Sequence, residues 1–520
     1  MGEPYYITTA ISYPNGKPHI GHAYEAIAAD AMARFRRAQG RDVRFQTGTD
    51  EHGLKMAQAA RAEGIEPATY AQKMSLEFKA MCDLFQISYD RFIHTSDADH
   101  HRASQAIWKA MEANGDLYLG RYEGYYSVRD EAFYGEDELT EGEGGDKLSP
   151  QGTPVEWTAE ESWFFRLSAY GDRLIEHYRV EPAFIQPDSR RNEVMRFVEG
   201  GLKDLSISRT SFDWGIKVPG NEAHVMYVWL DALTNYITGL GYPDGGELWD
   251  RFWPADVHLI GKDVVRFHAV YWPAFLMSAG IALPRQVYGH GFILAKTGEK
   301  MSKSLGNVVD PIAMAERYGV DALRYFLLRE VSFGQDGSYS HEAIVNRVNS
   351  ELANSFGNLA QRSLSMVFKN LGGKLSRFDG NEEDVELQNA VAVACRYELP
   401  RDFENFAFSQ GLESWMRGVF ACNQYVDRMA PWTLRKTDPE RMKVVLGTLF
   451  VCVRDLAIAV RSVIPASADR LLDMMGIPLE DRDFTALDDR DWYTRFIKSD
   501  YLIPQPVPVF PRLELDEPVV

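Results

Sequence analysis

The chain has 520 residues, of which 45% are hydrophobic, and a formal net charge of −19. Its length predicts three or four domains, and the absence of both a bilayer-length apolar stretch and a hydrophobic leader before Tyr5 excludes a membrane or secreted class, so we expect a cytoplasmic protein. The negative charge, taken alone, argues against nucleic-acid binding, because Lys and Arg contacts to phosphate supply much of that affinity.

The first motif in chain order joins a strand, a turn and a helix. The run from Tyr5 to Ala10 predicts a strand, and apolar residues at helical spacing from Ile20 predict a helix that ends by Gly40. His19 and His22 stand at the start of that helix, where backbone N–H groups and a partial positive charge attract phosphate. Gly21 lets a nucleotide approach the backbone. The two histidines are also compatible with a satisfied polar pair or half of a metal site.

Alternating strands and helices fill residues 1 to about 118, and a stretch of different character follows at about 119–222. Its acidic run from Gly135 to Asp146 lacks the spaced ligands of a calcium loop, so we expect a solvated hairpin. The chain's four cysteines contain no CxxC pair and predict reduced, mostly buried thiols: Cys82, Cys395, Cys422 and Cys452.

Strand and helix patterns then resume. Val257 to Ile260 and Gln286 to Gly289 predict two parallel strands that flank a helix beginning near Val264, as in a split doubly wound sheet. A Gly-rich segment follows and contains Lys300-Met301-Ser302-Lys303-Ser304. Two lysines three apart could neutralise charge on a triphosphate, although a Lys-rich loop can also be solvated surface.

The last part of the chain is predicted to be helical. Residues 310–340 form a connecting segment, and helical apolar spacing begins near Glu342, Glu382, Phe406 and Pro439, which predicts a helix bundle. The Pro-rich tail from Ile503 to Pro511 cannot be regular helix and is predicted to run extended.

The histidine and lysine strings resemble the HIGH and KMSKS signatures of class I aminoacyl-tRNA synthetases, and further strings make the chain similar to the methionyl-tRNA synthetase family. The match continues past the lysine string and covers nearly the whole chain, and these further strings are Ala10 to Tyr13, Gly48 to Gly53, Asp204 to Arg209, Tyr227 to Ala232, and Ile260 to Asp263 with His268. The resemblance implies an α/β, Rossmann-like catalytic domain with a doubly wound parallel sheet, split by an inserted connective domain and followed by an α-helical anticodon-binding domain. The implied boundaries are 1–118 and 223–309 for the catalytic halves, 119–222 for the insert, 310–340 for a connecting stem that directly follows the KMSKS loop, and 341–520 for the helical domain with its tail.

The implied reaction is the ATP-dependent activation of L-methionine to methionyl-adenylate, with Mg²⁺ accompanying ATP, followed by transfer to the 3′ end of tRNA(Met), for initiation and elongation. Initiator tRNA is thus among the expected partners. Because no further RNA-binding module follows the bundle, the resemblance favours a monomer.

The resemblance also assigns residues to roles. The implied catalytic residues are His19, His22, Lys300 and Lys303, and the implied ATP contacts add Gly21 and Ser302. The implied methionine pocket comprises Ala10, Ile11, Tyr13, Asp50, Trp229, Ala232, Leu233, Tyr236, Val264 and His268. In this pocket Asp50 would bind the ammonium group, and Tyr13 or His268 would donate a hydrogen bond to the thioether. Further implied polar positions are Glu25, Arg209 and Asp263, and the implied anticodon contacts are Asn358, Arg362 and Trp432. Without the resemblance, the aromatic and apolar set would read as core, and the last three as ordinary helix residues.

The insert departs from the family pattern. Many methionyl enzymes bind zinc there through CxxC knuckles, whereas this chain has Ser127-Val128-Arg129-Asp130 in that place, so we expect no structural zinc.

Four rival functions remain open on the sequence. Leucyl, isoleucyl and valyl enzymes share both signatures but carry a far larger editing insertion. A cysteinyl enzyme would need zinc thiolates, and a small nucleotidyltransferase with an HxGH site would not need the long helical domain. An RNA-binding scaffold with a dead active site would not need the intact histidines and lysines.

Overall fold

The computed structural model describes residues 2–130, 132–142, 145–294, 309–489, 491–499 and 501–515. The chain divides into two compact units. We call them the sheet unit (Pro4–Ala29 and Val43–His290) and the helical unit (the described residues of Met1–Glu3, Asp30–Asp42 and Gly291–Val520).

The sheet unit alternates strands and helices, interrupted by antiparallel strands in its middle. In chain order its elements are β1 (Pro4–Thr9), α1 (Ile20–Ala38, assigned to the helical unit from Asp30 on), β2 (Asp42–Thr49), α2 (Leu54–Glu63), α3 (Pro67–Leu84), β3 (Arg91–His94), α4 (Ala98–Ala113), β4 (Leu117–Ser127), β5 (Ala132–Tyr134), β6 (Thr140–Glu141), β7 (Lys147–Leu148), β8 (Glu156–Phe165), α5 (Gly171–Val180), β9 (Ile185–Gln186), α6 (Asp188–Glu199), β10 (Leu205–Ser206), β11 (Ser208–Arg209), β12 (Lys217–Val218), β13 (Asn221–Met226), α7 (Val228–Thr238), α8 (Glu247–Phe252), β14 (Val257–Gly261), α9 (Trp272–Ala279) and β15 (Val287–His290).

A six-stranded sheet organises this unit, in the order β3-β2-β1-β14-β15-β9. The pairs β2–β3, β1–β14, β14–β15 and β15–β9 are parallel, with Ile7 beside Val257 and His258 beside Val287. Every residue of β14 and β15 is buried, as in parallel strands covered on both faces. The predicted doubly wound sheet and its two later strands are therefore confirmed. A 3-10 turn (Lys262–Val264) and a π-helical turn (Phe267–Tyr271) lead from β14 into α9, so the helix predicted near Val264 is irregular at its start.

The middle of the unit is mostly antiparallel. One sheet has the order β10-β8-β4-β5 and a smaller one the order β11-β13-β12. The strands β6 and β7 pair antiparallel, with Thr140 beside Leu148 and Glu141 beside Lys147, so the end of the acidic run enters an antiparallel strand pair. This stretch also supplies β9, whose residues Ile185 and Gln186 form an edge of the main parallel sheet, a strand that the sequence pattern did not indicate.

The helical unit continues with short strands and helices. Its elements are β16 (Ile293–Leu294), α10 (Pro311–Tyr318), α11 (Val320–Glu330), β17 (Gly337–Ser338), α12 (His341–Arg347), α13 (Asn358–Leu371), α14 (Glu382–Ala392), α15 (Leu399–Glu404), α16 (Phe408–Met429), α17 (Pro431–Thr437), α18 (Pro439–Val460), α19 (Pro465–Met474), α20 (Phe484–Asp488) and α21 (Trp492–Lys498). Two π-helical segments, Val348–Gly357 and Val393–Glu398, precede α13 and α15.

Local chemistry explains where these helices start. Asn381 accepts a hydrogen bond from the Asp384 N–H and the Asp384 carboxylate accepts one from the Asn381 N–H, which forms a capping box ahead of α14. Asp438 caps α18, and Pro439 occupies its first turn. The helix starts predicted near Glu342, Glu382, Phe406 and Pro439 are thus confirmed within two residues, and the tail from Ile503 to Pro511 is neither helix nor strand, as predicted.

In the described part of the chain, no helix combines the length and the apolar character that crossing a membrane requires.

Candidate active site

The histidine string lies at the start of α1, with His19 directly before the helix and His22 in its first turn. The His19 Nδ1 accepts the Gly21 N–H at 3.1 Å, and the His22 Nδ1 accepts the His19 N–H at 3.1 Å. A neutral imidazole whose Nδ1 accepts carries its proton on Nε2, so both rings take the tautomer that donates from Nε2. The two rings stack with centroids 3.7 Å apart.

Gly21 is needed for this arrangement. A Cβ at this position would stand 2.9 Å from Cε1 of His19, so a side chain there would displace the ring. The helix start therefore offers two neutral N–H donors and an accessible backbone, which suits a phosphate.

The lysine string lies outside the described residues. Lys300, Ser302 and Lys303 fall within 295–308, so the expected meeting of the two strings stays a prediction.

Most of the implied methionine pocket belongs to, or packs against, one large apolar cluster, a core whose buried members run from Ile107 to Val287 in the sequence. The buried Leu233 and Tyr236 belong to the cluster, and the half-buried residues packed against it include Ala10, Tyr13, Trp229 and Val264. His268 joins through Tyr236, whose hydroxyl lies 2.6 Å from Nε2 of the imidazole. Ala232 is buried on α7 with Leu233, and Ile11 is half-buried next to Ala10.

Phe267 is a further member of this apolar cluster, and the sequence interpretation gave it no role. Its ring stacks on Trp229 with centroids 3.8 Å apart and an interplanar angle of 5°. The signal was its position three residues after Val264 and directly before His268, which places it near both on a helical segment.

His268 is held as a neutral ring. Its Nδ1 lies 2.9 Å from the Val264 carbonyl, which can only accept, so Nδ1 carries the proton and Nε2 accepts from the Tyr236 hydroxyl. Burial lowers the pKa of His268 to about 4, and the hydrogen bond to Val264 offsets only part of that effect. Both ring nitrogens are thus engaged within the protein, and the geometry does not support the expected hydrogen bond from His268 to a thioether.

Tyr13, the other expected thioether donor, lies close to the start of α2. Its hydroxyl oxygen accepts the backbone N–H of Met56 at 3.1 Å, and that bond does not use the hydroxyl proton.

Asp50 follows β2 and is buried beside the segment that carries Ile11 and Tyr13. The Asp50 N–H donates to the Ser12 carbonyl at 2.9 Å, and the Ser12 N–H donates to the Gly48 carbonyl at 2.9 Å. Two neighbours of Asp50 that the sequence interpretation gave no role, Glu51 and His52, are also buried, and they are held by contacts to His94 and Asp231 respectively.

Glu25 lies next to a histidine and a second carboxylate. Its Oε2 is 2.8 Å from Nε2 of His290. Burial raises the pKa of Glu25, and the negative charge of Asp263 adds to that effect, whereas the hydrogen bonds from His290 and Gly261 oppose it. Glu25 and Asp263 are therefore close enough to interact electrostatically.

Arg209 lies on β11. It donates to Ser206 Oγ at 3.0 Å, and its guanidinium is 4.8 Å from the ring centroid of Tyr227, the residue that precedes α7. Glu160 lies 3.9 Å away. Arg209 is thus a buried cation near the start of the helix that carries Trp229.

Two of the residues that replace a CxxC pair, Ser127 and Asp130, hydrogen-bond to other side chains of the insert. The Asp130 carboxylate accepts from Tyr134 at 3.0 Å, from Ser149 at 2.7 Å and from Thr153 at 2.5 Å. The Ser127 hydroxyl lies 2.7 Å from that of Thr153. This all-oxygen set is engaged internally and does not fit a zinc–thiolate site. Across the described ranges, no three His, Cys, Asp or Glu side chains are grouped to hold a metal.

The implied anticodon residues lie in the helical unit. Asn358 and Arg362 are one turn apart on α13, and the Arg362 guanidinium lies 5.3 Å from the ring centroid of Trp432 at the start of α17. Asp427 is 3.5 Å from Arg362, and Trp432 is 46% exposed. The structure therefore places an exposed aromatic face beside a cation.

Comparisons with known proteins agree along the whole chain. Residues 5–364 match the family model "tRNA synthetases class I (M)", and residues 382–513 match "Anticodon binding domain of methionyl tRNA ligase". Methionine–tRNA ligases of Brucella suis and Mycobacterium tuberculosis are 55% and 53% identical, over 99% of this chain and 99% of theirs.

Solved structures give the same result. Mycobacterium tuberculosis methionyl-tRNA synthetase in complex with methionyl-adenylate aligns with a TM-score of 0.94 at 53% identity, covering 98% of this chain and 100% of that one. Its apo form aligns with a TM-score of 0.88 at 49% identity, covering 99% of each chain. With both halves matched to the same enzyme and more than half of the residues identical, the chain belongs to the methionyl-tRNA synthetase family of class I tRNA synthetases.

Proposed function

We propose that the site in the sheet unit carries out the two-step reaction of a methionine–tRNA ligase. The methionine carboxylate first attacks the α-phosphorus of ATP and releases pyrophosphate. The 3′-terminal hydroxyl of tRNA(Met), initiator or elongator, then attacks the adenylate and releases AMP. Neither step needs a protein nucleophile, so the enzyme contributes alignment and charge stabilisation.

The observation that carries the proposal is the pair of Nε2 donors at the start of α1. With each Nδ1 accepting a backbone N–H at 3.1 Å, His19 and His22 reach ATP as neutral donors of fixed orientation. Gly21 admits the nucleotide next to them. Mg²⁺ enters with ATP and is held mainly by its phosphates.

Lys300 and Lys303, with Ser302, complete the phosphate contacts in this proposal. Their support is the KMSKS string itself and the family to which the chain belongs. Two cations would neutralise charge that builds on the phosphates as pyrophosphate leaves.

The methionine side chain would occupy the cluster around Trp229. Burial keeps His268 neutral at ordinary pH, so this histidine adds no charge beside the thioether chain. Tyr13 would donate to the thioether, and Asp50 would pair with the ammonium group. Glu25, Asp263 and Arg209 would contact the substrate carboxylate or the ribose.

We assign Asn358, Arg362 and Trp432 to the anticodon of tRNA(Met). The supporting contact is the Arg362 guanidinium beside the exposed Trp432 ring, since a splayed base can stack on such a face. We further propose a cytoplasmic monomer without structural zinc. The engaged oxygen set around Asp130 supports the absence of zinc, and elemental analysis of the purified protein tests it.

Amino-acid-dependent exchange of pyrophosphate into ATP, run with each of the twenty amino acids, tests the central proposal. We expect a strong signal with methionine only. Exchange with another amino acid and none with methionine would refute the substrate assignment.

A further inference from the structure

The loop Thr49–Gly53, which we call the Asp50 loop, is fixed on one side through Glu51. The Glu51 carboxylate is buried and accepts from the Thr49 hydroxyl at 2.9 Å, and it also binds Nδ1 of His94 at 2.8 Å. The Glu51 N–H donates to Thr95 Oγ1 at 2.8 Å. These contacts join the loop to the end of β3.

On its other side the Asp50 loop is joined to α7. His52 Nδ1 lies 2.7 Å from Oδ2 of Asp231, and His100 Nε2 of α4 lies 2.8 Å from Oδ1 of the same carboxylate. All three side chains are buried.

Asp231 is the acceptor in both bonds. Burial raises the pKa of Asp231, but attraction to His52 and hydrogen bonds from His100 and His52 outweigh burial and hold it below its ordinary value. An ionised carboxylate has no proton to give, so each imidazole donates to it.

Asp231 connects two parts of the proposed methionine site. Asp231 lies on α7 among the pocket residues Trp229, Ala232 and Tyr236. His52 lies two residues after Asp50. The carboxylate therefore bonds the loop that holds the proposed ammonium acceptor directly to the helix that forms the wall of the side-chain pocket.

We propose that Asp231 is a positioning residue for methionine: through His52 it sets the separation between the Asp50 carboxylate and the pocket wall on α7. The inference rests on the proposed function, in which Asp50 binds the ammonium group. Asp231 touches neither substrate in this proposal. It acts by fixing the distance between two points to which one methionine must bind at once.

The test is Asp231→Asn, because an amide of the same shape cannot accept from both imidazoles with its two terminal atoms. The probes are L-methionine and 4-(methylthio)butanoate, which has the same thioether chain and carboxylate but no amino group. The KM for methionine and for ATP is measured by pyrophosphate exchange, and the analogue is measured as a competitive inhibitor.

We expect the methionine KM to rise roughly 10- to 100-fold, the size of effect that a misplacement of about 1 Å can produce. The inhibition constant of the analogue and the KM for ATP should change by less than about twofold, because neither ligand uses Asp50. A merely structural defect would weaken methionine and the analogue equally, and that result would overturn the inference.

Two further comparisons keep the test decisive. Asp116→Asn is the matched control, since Asp116 also accepts from several side chains in the sheet unit, among them Ser278 at 2.6 Å. This variant should leave the ratio of the methionine KM to the inhibition constant of the analogue unchanged. If Asp231→Asn does not fold, His52→Asn, whose amide can replace the Nδ1 donor, should keep the preference for methionine, and His52→Ala should lose it. Equal behaviour of the two His52 variants would overturn the inference.

The experiment also separates this inference from the proposed function. If the unaltered enzyme binds the analogue as tightly as methionine, no group of the enzyme gains affinity from the ammonium. That result would refute the proposed role of Asp50 itself. If the unaltered enzyme prefers methionine strongly and Asp231→Asn keeps that preference, only the role of Asp231 fails.

Discussion

Replacing Trp432 with alanine should separate tRNA charging from amino-acid activation. Trp432 is the second residue of α17, and nearly half of its surface is exposed, so its removal opens little of the core. Within the folded protein the Arg362 guanidinium contacts the ring, 5.3 Å from its centroid. A cation–π contact at an exposed site contributes only about 0.5–1 kcal/mol, so the loss in stability should be small.

The effect on RNA should be larger. A base stacked on an aromatic side chain contributes about 1–3 kcal/mol, and each 1.4 kcal/mol is about tenfold in affinity. The kcat/KM of Trp432→Ala for tRNA(Met) should therefore fall roughly 5- to 150-fold. Methionine-dependent pyrophosphate exchange should stay within about twofold, because the two side chains of this contact lie in the helical unit, whereas the proposed methionine pocket and the two histidines lie in the sheet unit.

The assay is steady-state charging of a tRNA(Met) transcript and of the same transcript with an altered anticodon. Trp432→Ala should reduce the ratio of kcat/KM between the tRNA(Met) transcript and the transcript with the altered anticodon. Trp157→Ala is the matched control, because Trp157 is 59% exposed but lies on β8 of the sheet unit. Equal losses in charging and exchange, or an unchanged preference between transcripts, would refute the assignment of Trp432 to the anticodon.

Three other perturbations have defined outcomes. Lys303→Ala should slow adenylate formation by orders of magnitude with methionine binding nearly unchanged, as stopped-flow and equilibrium binding would show, because its charge is needed mainly in the transition state; a proportional loss of affinity would indicate a structural lysine. Burial lowers the pKa of His268 from 6.5 to about 4. Between these two pH values the imidazole is protonated in the unfolded chain but not in the folded protein, so the free energy of unfolding should fall by about 3 kcal/mol as the pH drops from 6.5 to 4. The urea midpoint should therefore fall more between pH 7 and pH 5 in the unaltered protein than in His268→Asn, and equal falls would contradict the assignment. Asp130→Ala should remove the carboxylate that accepts from the buried Ser149 and Thr153 hydroxyls, at a cost of about 1–3 kcal/mol, and speed amide hydrogen exchange in residues 145–153; unchanged exchange would contradict this.

Features that depend on neighbouring residues could be predicted from the sequence. The start of α14 follows from Asn381 and Asp384, and that of α18 from Asp438 and Pro439, because a helix cap is formed within one turn. The strands β14 and β15 were predicted because parallel strands buried on both faces read as short apolar runs. The short β9 gave no such signal, since its two residues pair with a strand about a hundred positions later.

The motif strings also determined which chemistry to look for, and the family match bears out that interpretation. The proposed roles of single residues in those strings remain predictions, as do the domain boundaries. The proposed phosphate contacts of Lys300 and Lys303 depend on the sequence alone, because both residues lie outside the described residues.

Only the tertiary structure decided how the side chains of the pocket are used. The sequence suggested that His268 could donate to a thioether, but the Val264 carbonyl and the Tyr236 hydroxyl engage both of its nitrogens. It gave Asp231 no role, because His52 is 179 positions away in the chain and meets it only once the sheet unit has folded. A tautomer, a depressed pKa or a buried ion pair depends on which groups surround a side chain, and for partners so distant in sequence the fold alone brings them within hydrogen-bond distance.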